Sequence, residues 1–141
     1  MTTRRTKAED IDGSEERGSV TTMPIWLGFV WTSPNTLIGL VLGLCTFQSP
    51  RVADGAIIFD QTPRGLTALM LRANRVAMTV GFVILSARPV AGRLLAHEQH
   101  HIRQYEVWGP LFIPAYLVLA IGYGYRRHPM EIRAQRAAGE I

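Results

Sequence analysis

Two stretches without a charged residue set the terms on which this chain can fold. Ile25 to Phe47 runs for 23 residues and Val107 to Tyr125 for 19. A helix of about 20 apolar residues matches the hydrocarbon thickness of a bilayer, so each stretch is long enough to cross or lie in a membrane. A chain of 141 residues has little interior in which to hide both, and membrane association is the expected outcome. Trp108, Tyr123 and Tyr125 near the margins of the second stretch, with Arg126-Arg127 after it, fit an interfacial belt and an anchor at the lipid head groups. The competing outcome is a protein core in which the two segments shield each other. Seven Lys and Arg lie between the stretches and eight outside them, so the positive-inside rule favours neither orientation.

Inside the first stretch, Ser33-Pro34-Asn35-Thr36 reads as a cap followed by proline at a first helical position. This predicts a separate short helix from Pro34 to Thr46. Met1 to Thr22 is polar and mixed in charge, the composition of a disordered tail, which leaves residues 23–141 as a single domain.

The chemistry is concentrated in His97-Glu98-Gln99-His100-His101. Residues four apart stack one turn above the other on a helix, so His97 and His101 can direct ring nitrogens at one cation. Glu98 sits about 100° around the helix, where it can take a proton from water. Pro89 to Trp108 has the signals of such a helix, closed by Gly109-Pro110. Leu94, His97, His101, Tyr105 and Trp108 form its inward stripe, while His100 falls off it. Two imidazoles and a carboxylate suit Zn2+ and leave a fourth position open. The plainer alternative is a pair of half-buried histidines hydrogen-bonded inside a small core.

A third ligand is needed. Gln104 and Val107 stand where a metzincin would carry Gly and His, which leaves a carboxylate from another element. Glu131 is the best candidate, in the first turn of a helix begun by His128-Pro129, with Ala134 on the same face permitting close approach to the first helix. A first-turn glutamate also simply complements the helix dipole. Glu106, Glu140 and His128 are lesser candidates, and Tyr105, Tyr116 or His128 could stabilise an oxyanion.

Between these regions, Gly55 to Phe59, Leu66 to Arg72 and Val76 to Leu85 are short apolar runs separated by turn signals. They predict a small antiparallel sheet, although Gly81 interrupts the last run. The expected fold class is therefore α+β, with the sheet packed on the His-Glu-x-x-His helix and two apolar helical segments, 25–47 and 107–125, in or on the membrane. The single cysteine, Cys45, rules out an internal disulfide and a cysteine-ligated zinc. The net charge of +4 is not gathered into a basic stripe with interleaved aromatics, which argues against a nucleic-acid partner.

The run LAHEQHHIRQYEVWGPLFIPAY, from Leu95 to Tyr116, followed by HPMEIRAQRAA, resembles a group of small bacterial membrane-associated proteins that are similar to gluzincin-type zinc metallopeptidases. The resemblance is strong over the last third of the chain and loose from Ser33 to Leu85. It implies that His97 and His101 are zinc ligands, Glu131 the third ligand and Glu98 the general base. The implied protein is a zinc-dependent hydrolase of the bacterial cell membrane. It would contact membrane lipid, a peptide or protein substrate and, in some settings, a membrane protein partner. Its size leaves no separate substrate-binding lobe. The alternative from another class is a non-catalytic membrane or assembly protein in which the zinc only staples two helices.

Overall fold

The computed structural model describes residues 24–141, so the predicted tail lies outside the described residues. The first helix, α1 (Ile25–Leu44), is continuous through Pro34. Proline lacks the N–H that would bond to the carbonyl of Val30, but the Ser33 hydroxyl donates to that carbonyl at 2.8 Å. The expected break between Ser33 and Pro34 is absent because a neighbouring side chain supplies the missing donor.

The burial of α1 is inverted. Its inward stripe is Gly28, Thr32, Asn35, Gly39 and Gly43, running on to Thr46, while Trp26, Phe29, Val30, Leu37, Ile38 and Val41 are exposed. The polar members are satisfied: Thr32 donates to the Gly28 carbonyl at 2.8 Å and Thr46 to that of Gly43 at 2.6 Å. Asn35 reaches across to the Gly109 carbonyl at 2.7 Å. The glycines let the helix touch the sheet, since a Cβ on Gly43 would fall 2.4 Å from the Phe59 ring and one on Gly39 2.5 Å from the Val80 carbonyl. Small residues face inward and large apolar residues form the outer, exposed face of the helix.

Four strands follow: β1 (Arg51–Ala53), β2 (Ala56–Phe59), β3 (Ala77–Val80) and β4 (Val83–Ser86), in spatial order β1-β2-β4-β3. The sheet is mixed rather than wholly antiparallel, because β2 and β4 pair in parallel with Ile58 opposite Ile84. That pairing requires a crossover, which the helix α2 (Gly65–Arg72) and β3 provide. Leu66 to Arg72, expected as a strand, is this helix; its Thr67 hydroxyl accepts from the Arg64 N–H at 3.0 Å and closes the first turn. A short apolar run fits either state by pattern alone. Val76 to Leu85 is a hairpin and not one strand, and Gly81 (φ +63°) is its turn. β1 and β2 are joined by Asp54-Gly55, both at positive φ, the two-residue turn that matches strand twist.

Alternation along the strands sorts the core. Ile58 and Ile84 face Ile102, Leu94 and Leu95 of α3 (Gly92–Trp108), whereas Phe59, Val83 and Leu85 face α1 and α2 through Leu40, Leu42 and Met70. The α+β class is as expected, with both sheet faces covered. The segment entering α3 is clasped by Asp60, whose carboxylate accepts from Arg51 at 2.9 and 2.6 Å and from the Val90 N–H at 2.7 Å. The Arg51 hydrogen bonds, outweighing burial, hold the Asp60 carboxyl below its usual range.

After α3 a 3-10 turn (Gly109–Leu111) leads into α4 (Phe112–Tyr123), and a second one (Tyr125–Arg127) into α5 (Pro129–Ala137). Two helical runs, Trp26–Leu44 and Gly92–Tyr123, are long and apolar enough to cross a membrane by length and composition. The second joins α3 to α4, and α3 packs against the sheet and carries four charged residues, Arg93, Glu98, Arg103 and Glu106, of which Glu98 is buried and the others exposed. Its apolar part, α4, has 12 residues and rises about 18 Å, little more than one leaflet of a ~30 Å hydrocarbon core. Val118 and Ile121 on α4 face outward.

Candidate metal centre

On α3, His97 and His101 lie one turn apart and converge, their Nε2 atoms 3.2 Å from each other. α5 packs across α3 with Ala134 fully buried, as its small size allows. This brings in Glu131, with Oε2 3.5 Å from His97 Nε2 and Oε1 3.5 Å from His101 Nε2. The three residues form a group that could hold a metal ion. Ligand atoms about 2.0–2.1 Å from a tetrahedral cation stand about 3.3–3.4 Å from one another; the two Nε2 atoms, 3.2 Å apart, are near that spacing, and each faces a different oxygen of Glu131 at 3.5 Å.

The partners of each ligand fix its direction. Gln104 donates its amide to the Met130 carbonyl at 3.1 Å, which turns its oxygen toward His101 Nδ1 at 2.9 Å. Glu140 Oε2 lies 3.3 Å from His97 Nδ1. Both neutral imidazoles therefore carry their hydrogen on Nδ1 and present the Nε2 lone pair inward. Glu131 Oε1 accepts from the Tyr116 hydroxyl at 2.5 Å, but Oε2 is buried without a hydrogen-bond partner. Two imidazole nitrogens and a carboxylate thus face one another, each able to offer a lone pair. One proton can bridge only one pair of them, whereas a divalent cation serves all three. Burial pushes the Glu131 carboxyl up, yet when His101 and His97 carry a proton on the facing nitrogen their hydrogen bonds, with that of Tyr116, outweigh it and hold the carboxyl well below the usual carboxylate range.

Glu98 is buried beside the group and is not part of it. Its Oε2 accepts from the Thr79 hydroxyl of β3 at 2.6 Å, and burial, partly offset by that bond, pushes its carboxyl up. A raised carboxyl next to a cation site is suited to exchanging protons. The residues His97, Glu98, His101, Tyr116, Glu131 and Thr79 all line a cavity of about 610 Å³, along the outer edge of the sheet formed by β3.

Of the lesser ligand candidates, Glu106 is exposed outside this cavity, Glu140 is an outer partner of His97, and His128 is fully buried. His128 caps α5 by accepting from the Met130 N–H at 3.2 Å and stacks on Tyr116 with ring centroids 4.0 Å apart. Tyr105 donates to the Thr79 carbonyl at 3.2 Å, which commits it to bracing β3. Thr79 and Gln104 were not foreseen as site residues; each is an ordinary strand or helix residue in sequence and acquires its role only when β3 and α5 meet α3. Comparison of the chain with protein families, with curated proteins and with solved structures finds no match.

Proposed function

We propose that the protein is a membrane-associated zinc-dependent hydrolase, a peptidase of gluzincin-like arrangement, with His97, His101 and Glu131 as ligands. The observation that carries this reading is the buried Glu131 carboxylate, its Oε2 without a hydrogen-bond partner, facing two converging imidazole nitrogens, one opposite each of its oxygens. Two nitrogens and one carboxylate oxygen are a zinc donor set, and the cavity beside them leaves room for water and substrate. Zinc, when bound, supplies Lewis-acid chemistry, lowering the pKa of water and polarising a carbonyl. Glu98, steadied by Thr79, takes the proton from the attacking water and passes it to the leaving amine. Tyr116 and Gln104 hold Glu131 and His101 in direction. The exposed apolar faces of α1 and α4 support a location at a lipid bilayer.

The test is metal analysis of detergent-purified protein together with cleavage of the cell's membrane proteome. We expect about one zinc per chain, lost in His101→Ala. Glu98→Gln should retain the zinc while cleavage falls about 10²–10⁴-fold. Full zinc content in both His97→Ala and His101→Ala would remove the centre. A Glu98→Gln protein with wild-type cleavage would leave the metal as a staple between α3 and α5.

A further inference from the structure

The cavity beside the metal centre has a lining that the metal does not account for. Much of its wall is apolar, including Met70, Met78, Leu94, Phe112, Ile113 and Leu117. Among the lining residues there is one arginine or lysine, Arg75. Its guanidinium carbon lies 3.7 Å from the centre of the Tyr125 ring, and no carboxylate among the described residues comes within 4 Å of it. Glu98, Glu131 and Glu140 line the same cavity, and each is engaged elsewhere. A guanidinium backed by an aromatic face has its plane fixed and its N–H edge free, the presentation that suits a planar two-oxygen anion.

The position of Arg75 is also fixed. It follows Asn74, at φ +57°, in the turn between α2 and β3, and its own N–H is bonded to the Met70 carbonyl at 2.8 Å. Tyr125, on the opposite wall, opens the 3-10 turn that leads to His128, and His128 stacks on Tyr116, the donor to Glu131. Arg75 thus reaches from the strand side of the cavity to the helix side, at its rim. The cavity volume lies within the range of pockets that enclose small molecules and short peptides.

We propose that Arg75 binds the carboxylate of an apolar peptide whose scissile amide lies at the metal centre, so that the site selects apolar substrates carrying a negative charge a short way from the cleaved bond. This rests on the zinc-peptidase reading. The carboxylate has two sources, the end of a chain or an acidic side chain, and both present the same planar group.

Isothermal titration of the zinc-loaded, detergent-solubilised protein with three hydroxamate-capped peptides separates these. One is dileucine with a free terminal carboxylate, the second is dileucine ending in an amide, and the third carries glutamate in place of the last leucine with an amide end. Wild type should bind a carboxylate-bearing probe at least about tenfold more tightly than the neutral one. Arg75→Gln should erase that preference while leaving the neutral probe's affinity unchanged. The probe that shows the preference identifies the source of the carboxylate. Equal affinity of wild type for all three, or a preference that survives in Arg75→Gln, overturns the assignment and leaves the metal centre standing. Failure of every hydroxamate to bind zinc-loaded protein would overturn the metal-centre reading as well.

Discussion

Two parts of the molecule bury polar side chains, and they do so in opposite ways. On α1 and the turn that ends it, Thr32, Asn35 and Thr46 are buried and each donates to a backbone carbonyl. Between α3 and α5, Glu98, His101 and Glu131 are equally buried, yet Glu131 Oε2 has no hydrogen-bond partner and two imidazoles converge on the carboxylate, one opposite each oxygen. The first arrangement is complete and therefore architectural. The second is incomplete in a way that one cation would finish. Polar burial alone does not mark a site; a polar group left over after the hydrogen bonds are counted does.

The sharpest way to break this contrast is Glu131→Ala. Removing a ligand should weaken zinc binding beyond the about 10–100-fold typical of an outer partner, read by competition with a chromophoric chelator. Unchanged affinity would place the metal elsewhere. Asn35→Ala is the mirror experiment on α1: it leaves the buried Gly109 carbonyl without its donor, so unfolding free energy should drop by about 1–3 kcal/mol while zinc affinity holds. A zinc defect there would mean that the two regions are not independent.

A third experiment uses acid. The folded-state Asp60 carboxyl is depressed by its Arg51 hydrogen bonds, so its contribution is full above the ordinary aspartate range near pH 4 and is lost as pH falls from there toward the folded value. Asp60→Asn should cost about 1–3 kcal/mol at neutral pH and flatten that part of the acid limb in chemical denaturation. An unchanged limb would deny the clasp. The smallest effect is expected at Glu140, which touches His97 at an exposed position. Glu140→Gln should lower zinc affinity about tenfold with unchanged stability, and Glu106→Gln should do nothing. Equal behaviour of the two would make Glu140 incidental.

The sequence carried more of the centre than of the scaffold. The i, i+4 histidines, the proline-initiated α5 and the small Ala134 are local signals, and each survives into the structure as a contact. Leu66 to Arg72 was misread because a seven-residue apolar run has no period long enough to separate helix from strand. The parallel pairing of β2 with β4 is a long-range outcome that no short segment encodes. Two signals were present and passed over. Asp54-Gly55 is a hairpin turn by its residue types, and the stripe Gly28, Thr32, Asn35, Gly39, Gly43 at helical spacing marks the inward side of α1. That stripe was hidden because apolar residues usually mark the inside of a helix, and here they mark the outside. The roles of Thr79, Gln104 and Glu140 depend on three elements meeting and have no sequence signature.

α5 is nine residues long, below the length at which a helix persists by itself in water. What holds it in place is largely the site: Tyr116 to Glu131, Gln104 to the Met130 carbonyl, His128 to the Tyr116 carbonyl. If Glu131 is the third ligand, opening of this helix and metal release become one event, and amide hydrogens of Arg133 to Ala137 should exchange faster when a chelator is present. Zinc supply would then set how much of the time this segment is folded as well as whether the centre is charged.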